Sequence, residues 1–550
     1  MAELNYKKLQ NGSDIRGVAM DGVDGERPNL TPVEGERLAK GFLAWLEKKT
    51  GKRAGEMKIA VGRDPRLTGE ALLSAVVKGL VSCGVTVFDC GLASTPAMFM
   101  STIFPEYACD GAVMITASHL PFNRNGFKFF DGEGGLNKGD ISAIIRYAEE
   151  GREPAAKPAA GSEAGSEAEP AAGSEAGGLA AAERTGRAGW ADGGSKAGDV
   201  KKADLMSVYS AFLRDKIKEG VAHPDNREKP LSGLKIAVDA GNGGGGFYAR
   251  QVLAPLGADI SASQFLEPDG RFPNHAPNPE DKAAMDAISQ AVTRAKADFG
   301  LIFDTDVDRS SAVDRTGREI NRNGIVAMAA ALVAEEHPGT TVVTDSITSD
   351  QLTVFLEKKL GLRHLRFKRG YKNVINRAIE LNREGVDSQL AIETSGHAAL
   401  KENYFLDDGA YLATKIVIKA ARLALEGKTL DSLLAGLEEP LEAVELRFPI
   451  KLEDFSAYGD GVLAELKEFA GEPGRGMAIV EPNYEGVRIA WDKEKGDGWC
   501  LLRKSLHDPI MPLNLESNRE GGCREIAGVL REFLSRYEGL DISSLDRLAK

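Results

Sequence analysis

Short apolar runs that end abruptly in polar loops recur along most of this 550-residue chain. They read MKIAVG (57–62), GVTVFDCG (84–91), GAVMIT (111–116), LKIAVDAG (234–241), FGLIFDTD (299–306), TTVVTD (340–345) and SQLAIE (388–393). Helical patterns lie between most of them, such as GEALLSAVVKGLVSCG (69–84) and EDKAAMDAISQAVTRA (280–295). Apolar strands alternating with amphipathic helices predict βαβ units and a mostly parallel sheet. A sheet of that kind places its chemistry in loops beyond the carboxyl ends of the strands.

The chain is too long for one hydrophobic core, and its length predicts three or four domains. The strand–helix rhythm restarts after a low-complexity stretch and again after about residue 322. The stretch, 151–200, is built from Ala, Gly, Ser, Glu and Pro, with GSEA starting at Gly161, Gly165 and Gly173. Its composition buries too little apolar surface to offset the entropy of ordering, so it reads as a disordered insertion. The last hundred or so residues change character (LEAVELRFPI, MAIVEPNYEGVRIAWD, GWCLLRKSL, then a closing helix over 519–537) and predict a smaller α+β domain. The expected division is 1–150, the insertion 151–200, then 201–322, 323–440 and 441–550.

A net charge of −13 argues against nucleic-acid and anionic-membrane partners, which select basic surfaces. The cysteines (Cys83, Cys90, Cys109, Cys500, Cys523) are odd in number and not spaced as CxxC pairs, so neither a disulfide framework nor a zinc site is expected. The N-terminus has no apolar signal-type region, and no apolar run is long enough to span a bilayer. The expected compartment is the cytoplasm.

Four loops carry candidate chemistry. ITASHLPFNRNGFKFF (115–130) offers Ser118, His119 and Lys128: a hydroxyl beside cationic and proton-carrying groups suits a nucleophile or phosphoryl carrier, though an ordinary Ser/Thr turn also explains it. DTDVDRS (304–310) alternates Asp304, Asp306 and Asp308, which puts their carboxylates on one side of an extended loop. They repel unless a cation neutralises them, and hard oxygen ligands suit magnesium. Arg309 and Arg315 stand where an EF-hand needs Gly and an acid, which excludes that motif. AIETSGH (391–397), followed by DDGAYLA (407–413), offers Glu393 and Ser395 to sugar hydroxyls, with Gly396 allowing close backbone approach; turn chemistry accounts for them equally. GWCLLRKSLHDP (498–509) offers Arg503, Lys504, Ser505 and His507 to a phosphate, or is an edge strand with exposed basic residues. Two glycine-bearing turns stay open. VDAGNGGGG (238–246) contains a G-x-G-x-x-G, a weak dinucleotide signal or a tight strand–helix turn. In GRDPRLTG (62–69), Arg63 and Arg66 face phosphate or pair with Asp64.

Taken together and in this order, with SDIRG (13–17) and EPDGRFPNHAPNPE (267–280), the motifs resemble those of the α-D-phosphohexomutase superfamily of phosphomannomutases, phosphoglucomutases and hexosamine-phosphate mutases. The resemblance spans nearly the whole chain outside the insertion. It implies an α/β fold of three related mixed-sheet domains plus a smaller C-terminal α+β domain around a central cleft. It implies a cytoplasmic isomerase, a phosphoprotein interconverting hexose 1- and 6-phosphates, most readily of mannose or glucose, through a bound hexose 1,6-bisphosphate. By resemblance, Ser118 carries the phosphoryl group. Asp304, Asp306 and Asp308 hold Mg2+ with Ser118 as a further ligand. Arg309, Lys128, His119 and Arg16 surround the transfer, with Lys128 as general base or acid. Glu393 and Ser395 read sugar hydroxyls, with Gly370 and Lys372 in the neighbouring loop FKRGYKNV (367–374). Arg503 and Ser505, with Lys504 and His507, grip the distal phosphate. The implied partner is a small phosphosugar, with the chain a monomer or dimer.

The pattern departs from the family at Leu120 (usually Asn), Thr394 (usually Met or Gln), and Leu506 and His507 (usually Asn and Thr). Those positions bear on sugar choice and phosphate grip. A phosphoglucosamine-type mutase and a mutase-like protein of reduced turnover are the alternatives from the resemblance. An aspartyl-phosphate phosphotransferase using Asp304 and a nucleotide-dependent oxidoreductase using Gly241–Gly246 are the alternatives from single motifs.

Overall fold

The computed structural model describes residues 6–151, 198–505 and 508–550. The core of the expected disordered insertion, and Leu506 and His507, lie outside the described residues.

Four sheets succeed one another along the chain. The first is eight-stranded, running Gln10–Asn11, Asp14–Val18, Arg124–Asp131, Gly111–Ile115, Lys58–Arg63, Thr86–Leu92, Val200–Lys202, with Gly134–Gly135 off the path. Its centre is parallel and its N-terminal edge antiparallel. The strand Val200–Lys202 crosses the expected 200/201 boundary and extends this sheet parallel to Thr86–Leu92. All three of its residues are exposed, so no burial pattern announces it. The second sheet has Ile236–Asp239 parallel to Phe299–Phe303, continued antiparallel by Ser310–Asp314 and Glu319–Ile320. The third has Arg363–Arg366, Thr341–Thr344 and Leu390–Ile392 in parallel, then Ala398–Leu400 and Leu406–Asp407 antiparallel. The fourth is antiparallel throughout, in the order Glu442–Pro449, Ile510–Ser517, Gly498–Leu502, Val487–Trp491, Met477–Ile479. Three α/β units and a C-terminal α+β unit are thus the fold class the sequence predicts.

Local chemistry explains the helices. Pro32–Thr50 opens on a capping box of Thr31 and Glu34 and closes on Gly51 in the left-handed region. It lies directly against Lys138–Glu149: a Cβ at Gly41 would sit 2.5 Å from the carbonyl oxygen of Ile144. Helices Asn323–Glu336 and Gly409–Leu425 are buried over most of their length, which fits their nearly continuous apolar sequence.

One apolar core runs through parts of the first three sheets, from Met98 and Phe99 through Tyr209 and Phe303 to Ile325 and Ile416. The C-terminal unit packs its own core around Phe448, Ile489, Leu513 and Leu530. The first three units therefore share one hydrophobic core, whereas the fourth has its own and meets the third through the Phe367–Tyr484 ring pair and the polar contacts described below. Among the described residues, no helix is long and apolar enough to cross a membrane.

Candidate active site

Ser118 lies just past the strand Gly111–Ile115, in the left-handed backbone region at φ +49°. That conformation costs a non-glycine residue free energy and persists only where surroundings impose it. Arg66 imposes it. Its guanidinium is 1% exposed and donates to the carbonyls of Ser118, Leu120 (2.6 Å), Pro121 (2.8 Å) and Arg124 (3.0 Å). Asp64 sits 3.2 Å from its Nε. Arg66 thus cradles the serine loop while paired with Asp64, and Arg63 lies 3.7 Å from Glu70.

The acidic loop connects the antiparallel strands Phe299–Phe303 and Ser310–Asp314. Its Val307 is also left-handed, at φ +68°, a strained state for a β-branched residue. All three aspartates are fully buried. Ser118 Oγ donates to Asp304 Oδ2 at 2.9 Å. Arg309, 1% exposed, reaches the same carboxylate through Nε and Nη2 at 3.2 Å and lies 3.3 Å from Ser118 Oγ. Lys128 bonds Asp308 and lies 3.2 Å from Asp306; Thr95 bonds Asp306. His119 Nδ1 accepts from Arg309 Nη2 at 2.9 Å, which leaves the ring neutral. Arg16 donates to the carbonyl of Thr116 and to Asp14 (2.7 Å), bracing the strand that leads into Ser118.

The electrostatics follow from this packing. Burial and the neighbouring Asp308 hold Asp304 well above the usual carboxylate range. Burial also opposes ionisation of Asp306 and Asp308, but Lys128 with Thr95 and Arg16 at Asp306, and Lys128 with His397 and Arg309 at Asp308, together hold both low. The same carboxylates outweigh the burial of Lys128 and keep it an ammonium. Burial, then Arg309, pushes His119 down to about 3.

The acidic set fits a hard divalent cation. Ligand atoms of Asp304, Asp306 and Asp308 lie within 4.8 Å of one another. Asp306 Oδ1 and Asp308 Oδ1 are buried and accept no hydrogen bond from the described residues. Two buried anionic oxygens without donors are costly, and a cation with oxygen preference removes that cost. Asp304 is engaged by Ser118 and Arg309, an arrangement that orients the serine and leaves the aspartate poorly placed as the nucleophile of an aspartyl-phosphate enzyme.

The sugar-type loop is joined to the acidic loop by backbone. Arg309 and His397 form an antiparallel bridge. Gly396 has φ +93°, and a Cβ there would lie 2.7 Å from the carbonyl oxygen of Ser310, so glycine is required by both conformation and space. Glu393 is 4% exposed and accepts from the amide of Gly370 at 2.6 Å. Burial, then Asp345, pushes it up to about 7. Ser395 Oγ is buried with no hydrogen-bond partner among the described residues, and so is Arg503 Nε, beyond the strand Gly498–Leu502. Ser505 Oγ accepts from the amide of Asp508 at 3.2 Å. Lys504 directs its ammonium to Asp460 at 2.7 Å and Ser456 at 2.9 Å within its own domain. Lys372 donates to the carbonyl of Gly135, tying the third unit to the first.

The glycine run at 241–246 packs on the acidic loop. The amide of Gly244 donates to Thr305 O at 2.7 Å, and a Cβ at Gly243 would lie 2.9 Å from Thr305 Cα. At Gly246 a Cβ would lie 2.1 Å from the carbonyl oxygen of Leu266. Close backbone packing accounts for these glycines, not a dinucleotide.

Models of phosphoglucomutase/phosphomannomutase α/β/α domains I, II and III match residues 7–154, 214–317 and 321–440. The chain belongs to the phosphohexomutase family. It is an enzyme of the isomerase class, a mutase. It is 27% identical over 514 residues to a "Phosphomannomutase/phosphoglucomutase" of Pseudomonas putida, covering 93% of this chain and 95% of that one. It is 28% identical to a "Phosphoglucosamine mutase" of Lactobacillus delbrueckii, covering 84% and 91%. A crystal structure of a phosphoglucomutase/phosphomannomutase family protein from Burkholderia thailandensis shares the fold, with TM-score 0.71, 23% identity and 96% coverage of both chains.

Within this phosphohexomutase chain, the site contains groups to which sequence reasoning gave no role. His397 bonds Asp407, stacks on Tyr371 at 5.2 Å between ring centroids, and lies 4.0 Å from Asp308. Burial opposes its charge, but Asp407 and Asp308 outweigh that and raise it to about 9. Both residues stand in motifs visible in the sequence, ETSGH and DDGAY; their pairing depends on the antiparallel turn between Ala398–Leu400 and Leu406–Asp407.

Proposed function

We propose that the chain interconverts hexose 1-phosphates and 6-phosphates, of mannose or glucose above all, through a phosphoserine at Ser118 and a bound hexose 1,6-bisphosphate. One observation carries this reading. Ser118 Oγ, in a strained turn, lies within hydrogen-bond reach of both a buried carboxylate and a buried guanidinium. A serine so held suits reversible phosphorylation: Asp304 orients the hydroxyl, and Arg309 is placed to neutralise charge on a phosphoryl group there.

Asp304, Asp306 and Asp308, with an oxygen from Ser118, would hold Mg2+. When bound, that ion supplies charge neutralisation to the transferring group. In the first transfer the P–O bond to Ser118 breaks as a sugar hydroxyl oxygen bonds to phosphorus. The hydroxyl proton passes to a base in the cluster, and the bisphosphate forms. After the sugar turns over, Ser118 Oγ bonds to the other phosphorus as its P–O bond to the sugar breaks, the serine proton passing to the base and the freed sugar oxygen taking a proton from the acid. Lys128, held as an ammonium, is suited to the acid half of these proton transfers. Neutral His119 and Arg16 hold the serine loop and its strand. Glu393 and Ser395 would read the sugar hydroxyls, with Gly370 fixing Glu393. Arg503 and Ser505 would grip the distal phosphate, which must be accepted from either end of the sugar. The phosphoserine is thus assigned to 1–150, the metal to 201–322, the sugar loop to 323–440 and the phosphate grip to 441–550.

Hexosamine phosphates are the second reading, favoured by the likeness to the phosphoglucosamine mutase. A coupled assay on glucose, mannose, glucosamine and N-acetylglucosamine 1-phosphates, primed with the bisphosphate and read beside intact mass, decides between them. Absence of phosphate on Ser118 with turnover intact would sink the phosphoserine.

A further inference from the structure

We infer that Arg488, in the C-terminal domain, is a positioning residue for the sugar-reading loop, acting through residues 345–350 and the hydroxyl of Thr394.

Arg488 lies on the strand Val487–Trp491 and is 2% exposed. Its guanidinium stacks on Trp499, 3.6 Å from the ring centroid. From there it leaves its own domain. Nη1 donates to Ser346 O at 3.0 Å, and Nη2 to Thr348 O at 3.1 Å and Asp350 Oδ1 at 3.0 Å. Asp350 is held from the third domain's side by Arg366 at 2.8 Å. Glu485 adds a second cross-domain contact, bonding Ser346 Oγ and accepting the Arg369 amide at 3.2 Å. Residues 345–350 are thus gripped at one end by the C-terminal domain.

The other end is Asp345, which is fully buried. Its Oδ2 accepts the Thr394 hydroxyl at 2.8 Å and lies 3.7 Å from Arg369 Nε. Thr394 is the middle residue of Glu393-Thr394-Ser395. A methionine there would have no donor for Asp345, and a glutamine would present a longer one. The departure at Thr394 therefore ties the sugar loop to the 345–350 segment instead of facing a sugar. The C-terminal domain has its own core and meets the third domain at the Phe367–Tyr484 ring contact as well as through these polar groups. These polar contacts let its docking be felt at Glu393 and Ser395, because a buried hydrogen-bonded segment transmits displacement where loose packing would absorb it. The consequence for catalysis rests on the proposed mutase reading; the mechanical coupling does not.

The test is hydrogen–deuterium exchange on substrate-free full-length protein, paired with steady-state kinetics. Arg488→Lys keeps the charge but loses the fork. Asp350→Asn, on a half-exposed side chain, weakens the same grip if the first variant folds poorly. Each should speed amide exchange in 391–397 about five- to tenfold, the scale of one lost buried hydrogen bond. Each should also raise KM for the hexose phosphate by a similar factor with a smaller change in kcat. Adding Arg488→Lys to Thr394→Val should add little to either readout. Faster exchange confined to 345–350, or full additivity with Thr394→Val, would overturn the relay. Coupled exchange in a protein that turns over no hexose phosphate would leave the relay standing and sink the mutase reading alone.

Discussion

The proposed phosphoryl centre and the proposed sugar–phosphate grip are both buried and both incomplete, and their unpartnered groups differ. At the first, the buried atoms lacking partners include two carboxylate oxygens, Asp306 Oδ1 and Asp308 Oδ1, beside the hydroxyls of Thr305 and Ser310. At the second they include a hydroxyl and a guanidinium N–H, Ser395 Oγ and Arg503 Nε. Orphaned acceptors call for a cation, and orphaned donors call for an anion or a hydroxyl-bearing ligand. The first centre is also braced by strained backbone at Ser118 and Val307. The second is assembled across two domains that share no core. On the proposed reading, chemistry belongs to the units that share a core and recognition to the junction between units that do not.

The harshest break in that comparison is Ser118→Ala. Turnover should fall by on the order of 10^4-fold or more, as for removal of a nucleophile acting within a unit, and the phosphoryl mass increment should vanish. Retained activity would move the nucleophile elsewhere. Asp306→Asn comes next. It removes one acceptor of the cation without touching Ser118 Oγ, so kcat should drop about 10^2- to 10^3-fold. Titration calorimetry should show weakened Mg2+ binding, and undiminished binding would mean the orphaned oxygens are not ligands.

What the sequence discloses divides along the same line. The serine and acidic loops are legible because each follows an apolar strand and keeps its chemistry within a few residues. The α/β rhythm is legible because burial on a regular period leaves a pattern. Arg66 cradling Ser118, Thr394 bonded to Asp345 and Arg488 reaching Asp350 leave none: each joins residues far apart in sequence, and nothing in a one-dimensional string fixes which arginine meets which carbonyl. The bond from Lys372 to the carbonyl of Gly135 is hidden for the same reason. Val200–Lys202 escapes because a fully exposed three-residue edge strand has no alternation to read.

Breaks in the second region should be milder. Arg503→Ala removes a charged donor set from the grip, so KM should rise about 10- to 100-fold, the scale of one or two hydrogen bonds to a charged group, with phosphorylation of Ser118 by the bisphosphate slowed but not abolished. Glu393 gives a pH handle. Its folded pKa, about 7, lies above its ordinary 4.5, so the neutral acid is the form the fold favours. Its stabilising contribution is full below pH 4.5 and is lost as pH rises through 7, at most about 3 kcal/mol. Tm measured across pH 4.5 to 7.5 should therefore fall less steeply in Glu393→Gln than in the parent. Parallel slopes would show that Glu393 does not carry the proton whose loss destabilises the fold.

The mildest case sharpens where the grip ends. Lys504 stands between Arg503 and Ser505 and shares their loop, yet its ammonium is taken by Asp460 and Ser456, and the lysine lies near Gly459 of the helix Phe455–Ala470. Beyond the strand, the amides of Arg503 and Ser505 still donate to Pro512 and Ile510, an extended alternation in which a phosphate held by Arg503 and Ser505 would lie on the face Lys504 does not share. Lys504→Ala should change KM less than about threefold and cost ~0.2–1 kcal/mol of stability, as for other solvent-exposed ion pairs. A KM effect matching that of Arg503→Ala would mean that phosphate draws Lys504 away from Asp460. The grip would then be remodelled by its ligand, and the contrast with the rigid phosphoryl centre would be larger still.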